Sequence, residues 1–517
     1  MVLLAIAGTT SDTNDHQLKK YFIILCLLVA ASVQAQLKIA PVFADNMVIQ
    51  RDRPFRVTGL ATPGAQVQVS FSGSVHTAIA GKDSVWRVSI PSMSASWEPA
   101  VMQAHSGHER IVISNILIGD RWICLGQSNM ELPIQREMHF SSFHFVSENE
   151  RPRLYNPTYA GKNIFNAKYT DSVIFLLKHG QFYKGSWEVP DSVNIRSMSA
   201  VAWYFGEKIC EQSHIPVGLI NLSIGGAPLE TFIDIKTLKK NERFSAKADT
   251  GWLHNPALPI WIRERGMQNV ADIAGVPADE LGLDHAYKPG FAFREGIEPL
   301  LALPCKGMIW YQGESNAQEP DRVSEYGDLF AFMATDYRKK WNDPAMPCYW
   351  VQLSSIDTVK YKGQLWGWFR DEQRKMLEKI PHSGMAVCSD IGFRNDVHPT
   401  DKRAVGERLA RWALLNDYHQ QTIPSGPLPV EAVWKNGKVT VQFRYAGDGL
   451  QTNGTDTLHG FSSDGIHTVD AYIRTGSIEI PLTMKPAFIY YGWRSWSDGN
   501  LVNSEGLPAS TFKIPVR

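Results

Sequence analysis

The sequence lacks any excess of charge of one sign. It contains 52 lysine and arginine residues and 52 aspartate and glutamate residues, so its formal net charge at pH 7 is zero. Proteins that bind nucleic acid or anionic membrane surfaces usually carry a basic face. We therefore exclude both as partners. An acidic sugar is still compatible with this composition, because a single arginine can bind a carboxylate.

Cysteine is also scarce. Cys26 lies in an N-terminal apolar run, and the other five residues are Cys124, Cys210, Cys305, Cys348 and Cys388. No Cys-x-x-Cys pair occurs, which argues against a redox site or a structural zinc site. Most of the five lie in apolar segments, which is typical of buried thiols. Their odd number leaves at least one without a disulfide partner in the chain.

Long apolar runs are missing except near the N-terminus. Lys19 and Lys20 precede the run Tyr21–Ala31, and short or small residues follow at Ser32–Ala35. The run is too short for a bilayer span of about 20 residues. This order of charged, apolar and small residues predicts a secretory signal over residues 1–35. We expect an exported protein, periplasmic or extracellular, with no membrane insertion after the signal is cleaved.

Two alternatives to a cleaved signal are weaker. The run could be a buried N-terminal helix, or Cys26 could be the acylated residue of a lipoprotein, although Leu25 is bulky for that. The polar residues before Lys19 are unusual for a signal and suggest that translation starts near Leu18.

The mature chain divides by pattern into three parts. Residues 36–115 alternate apolar and polar positions between turn residues, which predicts an N-terminal β-sandwich-like module. Residues 116–425 alternate buried strands with helices, which predicts an α/β domain with a mostly parallel sheet. Residues 426–517 return to strand patterns and predict a C-terminal β module. Residues 136–197 and 232–295 are polar and aromatic, and we interpret them as loops over the site.

Five apolar segments are the predicted strands of the central sheet. They are residues 121–125, 217–221, 307–311, 348–352 and 385–388, and helices are predicted at 199–212, 326–341 and 403–417. Functional sites in such sheets collect at the carboxyl ends of the strands. Several polar motifs follow these strands directly, and their shared position is the strongest residue-based indication of one active site.

The sequence around Ser128 lacks the Gly-x-Ser-x-Gly pattern of the common hydrolase elbow. Ser128 nevertheless lies between an apolar strand and a predicted helix, in Gly126-Gln127-Ser128-Asn129. That turn would direct its hydroxyl to the carboxyl edge of the sheet, as a nucleophile requires, and its N–H could face an oxyanion. The alternative is that Ser128 only caps the helix.

His398 is the candidate general base. It precedes Pro399, which biases it away from helical geometry, and it lies just before the last helix of the α/β domain. Asp396 could orient the imidazole and stabilise its charged form, and Asp390 is the rival carboxylate. The alternative for His398 is a solvated loop histidine.

Further residues could stabilise an oxyanion. Gly225 and Gly226 follow a strand, and their backbone could approach a substrate closely and offer an N–H, although a tight turn explains them equally well. Gln312 and Asn316 carry side-chain amide donors. Glu314 lies between them and fits a structural hydrogen-bond partner better than a base.

Separate blocks of the chain resemble one family. The segment Gly119–Met130 is similar to the nucleophile block of the sialate O-acetylesterases, within the SGNH (GDSL-like) hydrolase superfamily. Gly218–Asn221 with Gly225-Gly226, Ile309–Asn316 and Asp396–Pro399 resemble further blocks of that family in the same order. Phe43–Arg51 is similar to its opening strand. Tyr491–Trp493 and Gly506–Ser510 resemble its closing segment, so the resemblance covers nearly all of the mature chain.

The resemblance implies a flavodoxin-like SGNH hydrolase domain flanked by β modules, with no metal and no cofactor. It maps Ser128 onto the nucleophile, His398 onto the base and Gly226 onto the oxyanion glycine. The superfamily places its aspartate three residues before the histidine, where this chain has Asn395. The acid is therefore Asp396 or Asp390, or the site works as a dyad. The superfamily's oxyanion asparagine has no clean equivalent in residues 312–316.

The resemblance also implies an O-acetylated sugar as substrate, and sialic acid in first place. Sialic acid carries a carboxylate, for which Arg394, four residues before His398, is our candidate partner. The alternative for Arg394 is a solvated or surface-paired arginine. Alternative functions are an acetylesterase for a plant hemicellulose such as xylan and, from another class, a non-catalytic carbohydrate-binding protein. The co-occurrence of Ser128, Gly226 and His398 argues against the latter.

Overall fold

The structure is a computed structural model that describes residues 36–143, 151–357 and 363–517. The predicted signal sequence lies outside these residues. In the part of the chain that is described, no helix combines the length and the apolar character needed to cross a membrane. The described chain forms two compact units, the first from residues 36–41, 56–90 and 102–112 and the second from residues 42–55, 91–101 and 113–517. The predicted domain boundaries at 115 and 425 stay predictions.

The first unit is antiparallel β structure. The N-terminal strands are β1 (Lys38–Ile39), β2 (Val48–Gln50), β3 (Phe55–Leu60), β4 (Gln66–Phe71), β5 (Ser74–Ile79), β6 (Val85–Ile90), β7 (Ser96–Ser106) and β8 (Glu109–Gly126). Within this unit, β4 pairs antiparallel with β5 and β7, and β1 pairs antiparallel with β3. Along β4, Val67, Val69 and Phe71 are buried while Gln66 and Gln68 are exposed. One face of the strand therefore supplies core, as alternation predicts.

The second unit contains the predicted parallel sheet. Its next strands are β9 (Arg153–Tyr155), β10 (Thr158–Tyr159), β11 (Tyr183–Lys184), β12 (Trp187–Glu188), β13 (Val217–Asn221), β14 (Ala278–Asp279), β15 (Gly282–Leu283), β16 (Gly307–Tyr311), β17 (Cys348–Val351) and β18 (Ser383–Ala386). The order is β9-β13-β8-β16-β17-β18, all parallel. Every residue of β13, β16 and β17 is buried, which explains their continuous apolar sequences.

Helices connect these strands. They are α1 (Ser128–Glu131), α2 (Asp171–Leu176), α3 (Ala200–Ser213), α4 (Ile235–Lys239), α5 (Ile260–Val270), α6 (Pro320–Lys340), α7 (Trp366–Lys379) and α8 (Lys402–Asn416). Helix α3 packs against α8, and α6 packs against α7. The three predicted helices correspond to α3, α6 and α8. Helix α5 lies in a segment that we predicted to be loop. It has no side-chain cap and contains Gly266, so its local signals are weak.

The C-terminal region is rich in β structure, as predicted. Its strands are β19 (Leu428–Lys435), β20 (Lys438–Arg444), β21 (Leu450–Thr452), β22 (Phe461–Ser462), β23 (Tyr472–Arg474), β24 (Ser477–Pro481), β25 (Phe488–Tyr491), β26 (Leu501–Asn503) and β27 (Phe512–Pro515). All of their named pairings are antiparallel. Alternate residues such as Val439, Val441, Ile478 and Ile480 are fully buried and form a core with Phe512.

The five cysteines of the described chain are buried thiols. Burial raises the pKa of the Cys124 thiol well above its usual range, and raises that of Cys305, Cys348 and Cys388 to about 12. These four thiols are therefore protonated at neutral pH, a form that reacts poorly with electrophiles.

Candidate active site

Ser128 lies at the carboxyl end of β8, where the chain turns sharply into α1. Gly126 adopts a φ of +141°, and a Cβ atom there would lie 2.1 Å from the Tyr311 carbonyl oxygen, so only glycine fits. The Gln127 N–H donates to that same carbonyl. Strand β16 thus fixes the turn, and Ser128 follows it as the first residue of the helix.

Ser128, His398 and Asp396 form a chain of side-chain contacts. The Nε2 atom of His398 lies 2.8 Å from the Ser128 Oγ, and its Nδ1 atom lies 3.1 Å from the Asp396 Oδ1. The Asp396 Oδ1 also accepts the His398 backbone N–H at 2.9 Å. Because Asp396 contacts both the ring and the backbone N–H of His398, it can hold the imidazole with Nε2 directed toward the serine.

Burial governs the protonation of His398. It lowers the pKa of the imidazole below its usual value of 6.5, because desolvation disfavours the charged ring. The Asp396 carboxylate opposes this effect, and the nearby Lys402 cation adds to it. The balance leaves His398 neutral at pH 7, as a group that accepts a proton must be.

Asp390, the rival acid, is engaged elsewhere. Its two carboxylate oxygens each accept a hydrogen bond of 2.7 Å from the Arg408 guanidinium. Such a bidentate pair occupies the carboxylate and aims it at α8. Asp396 is thus the carboxylate that contacts His398.

The loop after β13 brings Gly225 and Gly226 to the same edge of the sheet. Gly226 has a φ of +75°, and a Cβ atom there would lie 2.4 Å from the Tyr287 hydroxyl oxygen. That hydroxyl donates to the Gly225 carbonyl at 2.6 Å, while the Ser315 hydroxyl donates to the Gly226 carbonyl at 2.9 Å. These bonds fix the orientation of both peptide groups.

Gln312 and Asn316 lie behind this loop and are both buried. The Gln312 amide nitrogen donates to Asn316 Oδ1 at 2.7 Å and to the Ala227 carbonyl at 3.3 Å. The Asn316 amide nitrogen donates to the Glu230 carboxylate at 3.1 Å, and its Oδ1 also accepts the Leu229 N–H. Both side chains are therefore engaged in a network that supports the glycine loop.

A second buried network joins the turn at Ser128 to the loop that contains His398. This loop, residues 387–401, lies between β18 and α8 and is called the histidine loop. The Asn129 amide nitrogen donates to Glu314 Oε1 at 2.5 Å and to the Val397 carbonyl at 2.9 Å. The Lys402 ammonium donates to Asn129 Oδ1 at 2.6 Å and lies over the Tyr311 ring. Burial lowers the pKa of Lys402 to about 7 and raises that of Glu314.

The sequence indicated Glu314 as a structural hydrogen-bond partner, and its contact with Asn129 agrees with that, but nothing in the sequence indicated Asn129 or Lys402. A lysine in the first turn of a helix usually extends into solvent, whereas Lys402 is completely buried. The adjacency of Asn129 to Ser128 is the signal that could have identified Asn129.

Arg394 is placed on the surface of the histidine loop. Its guanidinium stacks on the Trp496 ring at 4.5 Å from the centroid, and one nitrogen lies 3.9 Å from Asp357 Oδ2. Its side chain is 61% exposed, so the group is accessible to a ligand.

One group of side chains in the described ranges has the spacing of a metal site. Ligand atoms of Glu137, His139 and Asp401 lie within 4.8 Å of one another. Glu137 accepts from both His139 and Tyr204, and Asp401 caps α8 through the Ala404 N–H. Both carboxylates thus already accept hydrogen bonds from within the protein.

Comparisons with known proteins place this geometry in context. Residues 294–415 match the family described as carbohydrate esterase, sialic acid-specific acetylesterase. The chain is 26% identical to mouse sialate O-acetylesterase over 458 residues, which is 81% of this chain and 82% of the relative. It is also 26% identical to human sialate O-acetylesterase, covering 74% and 72% of the two chains. A carbohydrate acetylesterase from Xanthomonas citri superposes with a TM-score of 0.75 at 27% identity, covering 92% and 99%.

The protein is a carboxylic ester hydrolase. Within that class it resembles the sialate O-acetylesterases over most of its length, and residues 294–415 carry the match to their carbohydrate esterase domain. The family resemblance inferred from the motifs is confirmed.

We predict that Asn129→Ala lowers kcat by about 10–100-fold and changes KM little, because a small misplacement of reacting groups has effects of that size. The substitution also removes the hydrogen-bond partner of two buried groups, the Glu314 carboxylate and the Lys402 ammonium. The free energy of unfolding should therefore fall by about 1–3 kcal/mol. Steady-state kinetics on an aryl acetate and thermal denaturation measure both.

Asn503→Ala is the matched control for this variant. Asn503 is equally buried, lies at the end of β26 in the C-terminal region, and its amide nitrogen donates to the Ser425 and Tyr445 carbonyls. It should lose stability and keep its kcat. Equal losses of kcat in the two variants would contradict a positioning role for Asn129.

The lowered pKa of His398 sets the pH dependence. Only a neutral imidazole can accept a proton, so we expect kcat/KM to fall on acidification and to reach half of its plateau value at a pH below 6.5. Asp396→Asn should move this midpoint to lower pH, because the carboxylate raises the pKa of the ring. A midpoint above pH 6.5, or no fall at all, would contradict His398 as the base.

Proposed function

We propose that the protein removes O-acetyl groups from a sugar through an acetyl-serine intermediate on Ser128. The observation that carries this proposal is the 2.8 Å contact between Ser128 Oγ and His398 Nε2, with Asp396 on the other ring nitrogen. A nucleophile, its base and an orienting acid are the parts that acyl transfer requires. The surrounding α/β domain, proposed to be of the flavodoxin-like SGNH type, presents them at one edge of its sheet.

The first half of the reaction acylates the serine. His398 Nε2 takes the Ser128 proton as the Oγ attacks the acetyl carbonyl carbon, and the carbonyl oxygen becomes an oxyanion. The N–H groups of Ser128 and Gly226 hold that oxyanion. When the C–O bond to the sugar breaks, the sugar oxygen takes the proton from His398 and leaves as a hydroxyl.

The second half releases acetate. His398 removes a proton from water, whose oxygen attacks the acetyl carbon, and the proton returns to Ser128 Oγ as the ester bond breaks. The amides of Gln312 and Asn316 support this step by fixing the loop that presents Gly226, rather than by binding the oxyanion themselves. Asp396 stabilises the imidazolium in both halves. Neither a metal nor a cofactor takes part.

The proposed substrate is O-acetylated sialic acid. Arg394 supports it, because an accessible guanidinium near the histidine loop can pair with the sugar carboxylate. The sialate O-acetylesterases of mouse and human, which the chain resembles, bear that activity in their names. We further propose that the enzyme is exported and acts in the periplasm or outside the cell.

Acetate release from O-acetylated sialic acid and from acetylated xylan, measured in parallel, tests this function. The wild-type enzyme should prefer the sialic acid. Ser128→Ala should reduce release by several orders of magnitude, because it removes the nucleophile. If the enzyme instead prefers acetylated xylan, the proposed substrate is wrong, but the proposed acyl-transfer mechanism is unaffected.

Ser383→Ala is the control for the serine variant. Ser383 begins β18, at the opposite end of the same sheet, and its hydroxyl donates to the Ile380 carbonyl. It should retain full activity. Turnover by Ser128→Ala within about tenfold of the wild type would remove Ser128 from the mechanism.

We predict that Asp396→Asn reduces kcat more than Asp390→Asn. The Asp396 side chain is 52% exposed, so its effect should be about 10–100-fold, below the value of about 10⁴ for a buried triad acid. Asp390→Asn breaks the pair with Arg408 and should lower thermal stability while leaving kcat near the wild-type value. Kinetics and melting temperatures of both variants separate the roles, and an unchanged kcat in Asp396→Asn would indicate a Ser–His dyad.

A further inference from the structure

A cleft of about 680 Å³ lies beside the histidine loop, within the second unit. Its walls carry two indole rings, Trp493 and Trp496, and charged groups of both signs, including Arg394, Arg494 and Asp498. A volume of about 300–1,000 Å³ is typical of small-molecule sites. Aromatic faces bordered by hydrogen-bonding groups suit a sugar, whose ring has apolar faces and a polar edge.

The segment that carries these indoles is rigidly held. Arg370 is fully buried in α7 and donates to the carbonyl oxygens of Gly492, Arg494 and Ser495. Because buried polar groups are stable only when hydrogen-bonded, Arg370 fixes this stretch of backbone. Rings held in this way bind a ligand without the entropy loss of ordering a loop.

The cleft lies at the same edge of the sheet as the serine. The Ile356 N–H, shortly after the carboxyl end of β17, donates to the Ser495 carbonyl, and the Ser497 N–H donates to the Ser355 hydroxyl. Ile356 also forms a bridge with Phe393, next to Arg394. The loop that ends at His398 therefore begins as a wall of the cleft.

We propose that this cleft is a second sugar subsite, which binds the part of an oligosaccharide that lies beyond the acetylated unit. The proposal rests on the proposed function, since it assumes that the acetylated unit sits at Ser128. Trp493 would stack on a sugar ring, Trp496 would hold Arg394 at the border of the cleft through its stacked guanidinium, and Asp498 would accept hydrogen bonds from hydroxyl groups. The cleft is lined by two arginines and two aspartates, so it has little net charge, which favours a neutral sugar. Arg394, at the border of the cleft, would bind the carboxylate of the acetylated unit.

Rates with short and long substrates test the proposal. The pairs are O-acetylated sialic acid with O-acetylated sialyllactose, and acetylated xylose with acetylated xylotetraose. For the sugar that is hydrolysed, the wild-type enzyme should show the higher kcat/KM on the longer member. Trp493→Ala, which leaves the stack of Arg394 on Trp496 intact, should lose about tenfold in kcat/KM on that member, through KM, and remain unchanged on the monosaccharide and on an aryl acetate.

Trp97→Ala is the matched control, because Trp97 is also half-buried but lies in β7 and bonds to the His214 carbonyl. It should keep the preference for the longer substrate. An equal loss in Trp493→Ala on short and long substrates would overturn the proposal, as would an absent preference in the wild type.

Direct binding separates this proposal from the esterase function. Unacetylated sialyllactose and xylotetraose are added to the wild-type protein, and saturation-transfer NMR detects contact. One of them should bind, and Trp493→Ala should weaken that binding about tenfold. Binding of this kind without hydrolysis of any sugar would support the subsite and refute the proposed function. Failure of both sugars to bind, or equal binding by Trp493→Ala, would refute the subsite.

Discussion

The candidate site depends on the hydrogen bonds of one buried side chain, that of Asn129. It joins three segments that are remote in sequence: the turn after β8, the loop at Glu314 and the loop at Val397. Lys402 completes the junction from α8. Each buried bond that is lost costs about 1–3 kcal/mol, so the junction opposes any movement of Ser128 relative to His398. The distance between Ser128 Oγ and His398 Nε2, on which the proposed chemistry depends, is therefore fixed by a residue that the proposed mechanism does not use.

The sheet supplies the frame for this junction. Parallel strands have their carboxyl ends on one edge, and the turns after β8, β13 and β16 place Ser128, Gly226 and Gln312 there. The close approach of Gly126 to the Tyr311 carbonyl shows how tightly two of these turns are packed. Because of these tight turns, side chains that are far apart in sequence come together at the carboxyl edge of the sheet.

Those features were predictable from the sequence because they are local. Continuous apolar runs marked the buried strands, and polar motifs after them marked the edge where Ser128 and His398 meet. The preference for Asp396 over Asp390 followed from its position beside His398 on the same loop, and the contact between the two agrees with it. The pairing of Asp390 with Arg408 was not predictable, because it depends on how α8 packs. Lys402 was missed because its burial follows from packing alone. Helix α5 was missed because it lacks a capping side chain, so its stability comes from tertiary contacts.

The buried thiols of this protein have a consequence for how its unfolding can be followed. Cys124, Cys348 and Cys388 lie in or beside strands of the parallel sheet, and Cys305 directly precedes β16. A thiol reagent attacks the thiolate, which burial suppresses in the native state. Labelling of these sulfur atoms would therefore require the sheet itself to open. The domain that holds the candidate catalytic residues thus contains its own chemical probe of global unfolding. These thiols would not react when only the surface loops move.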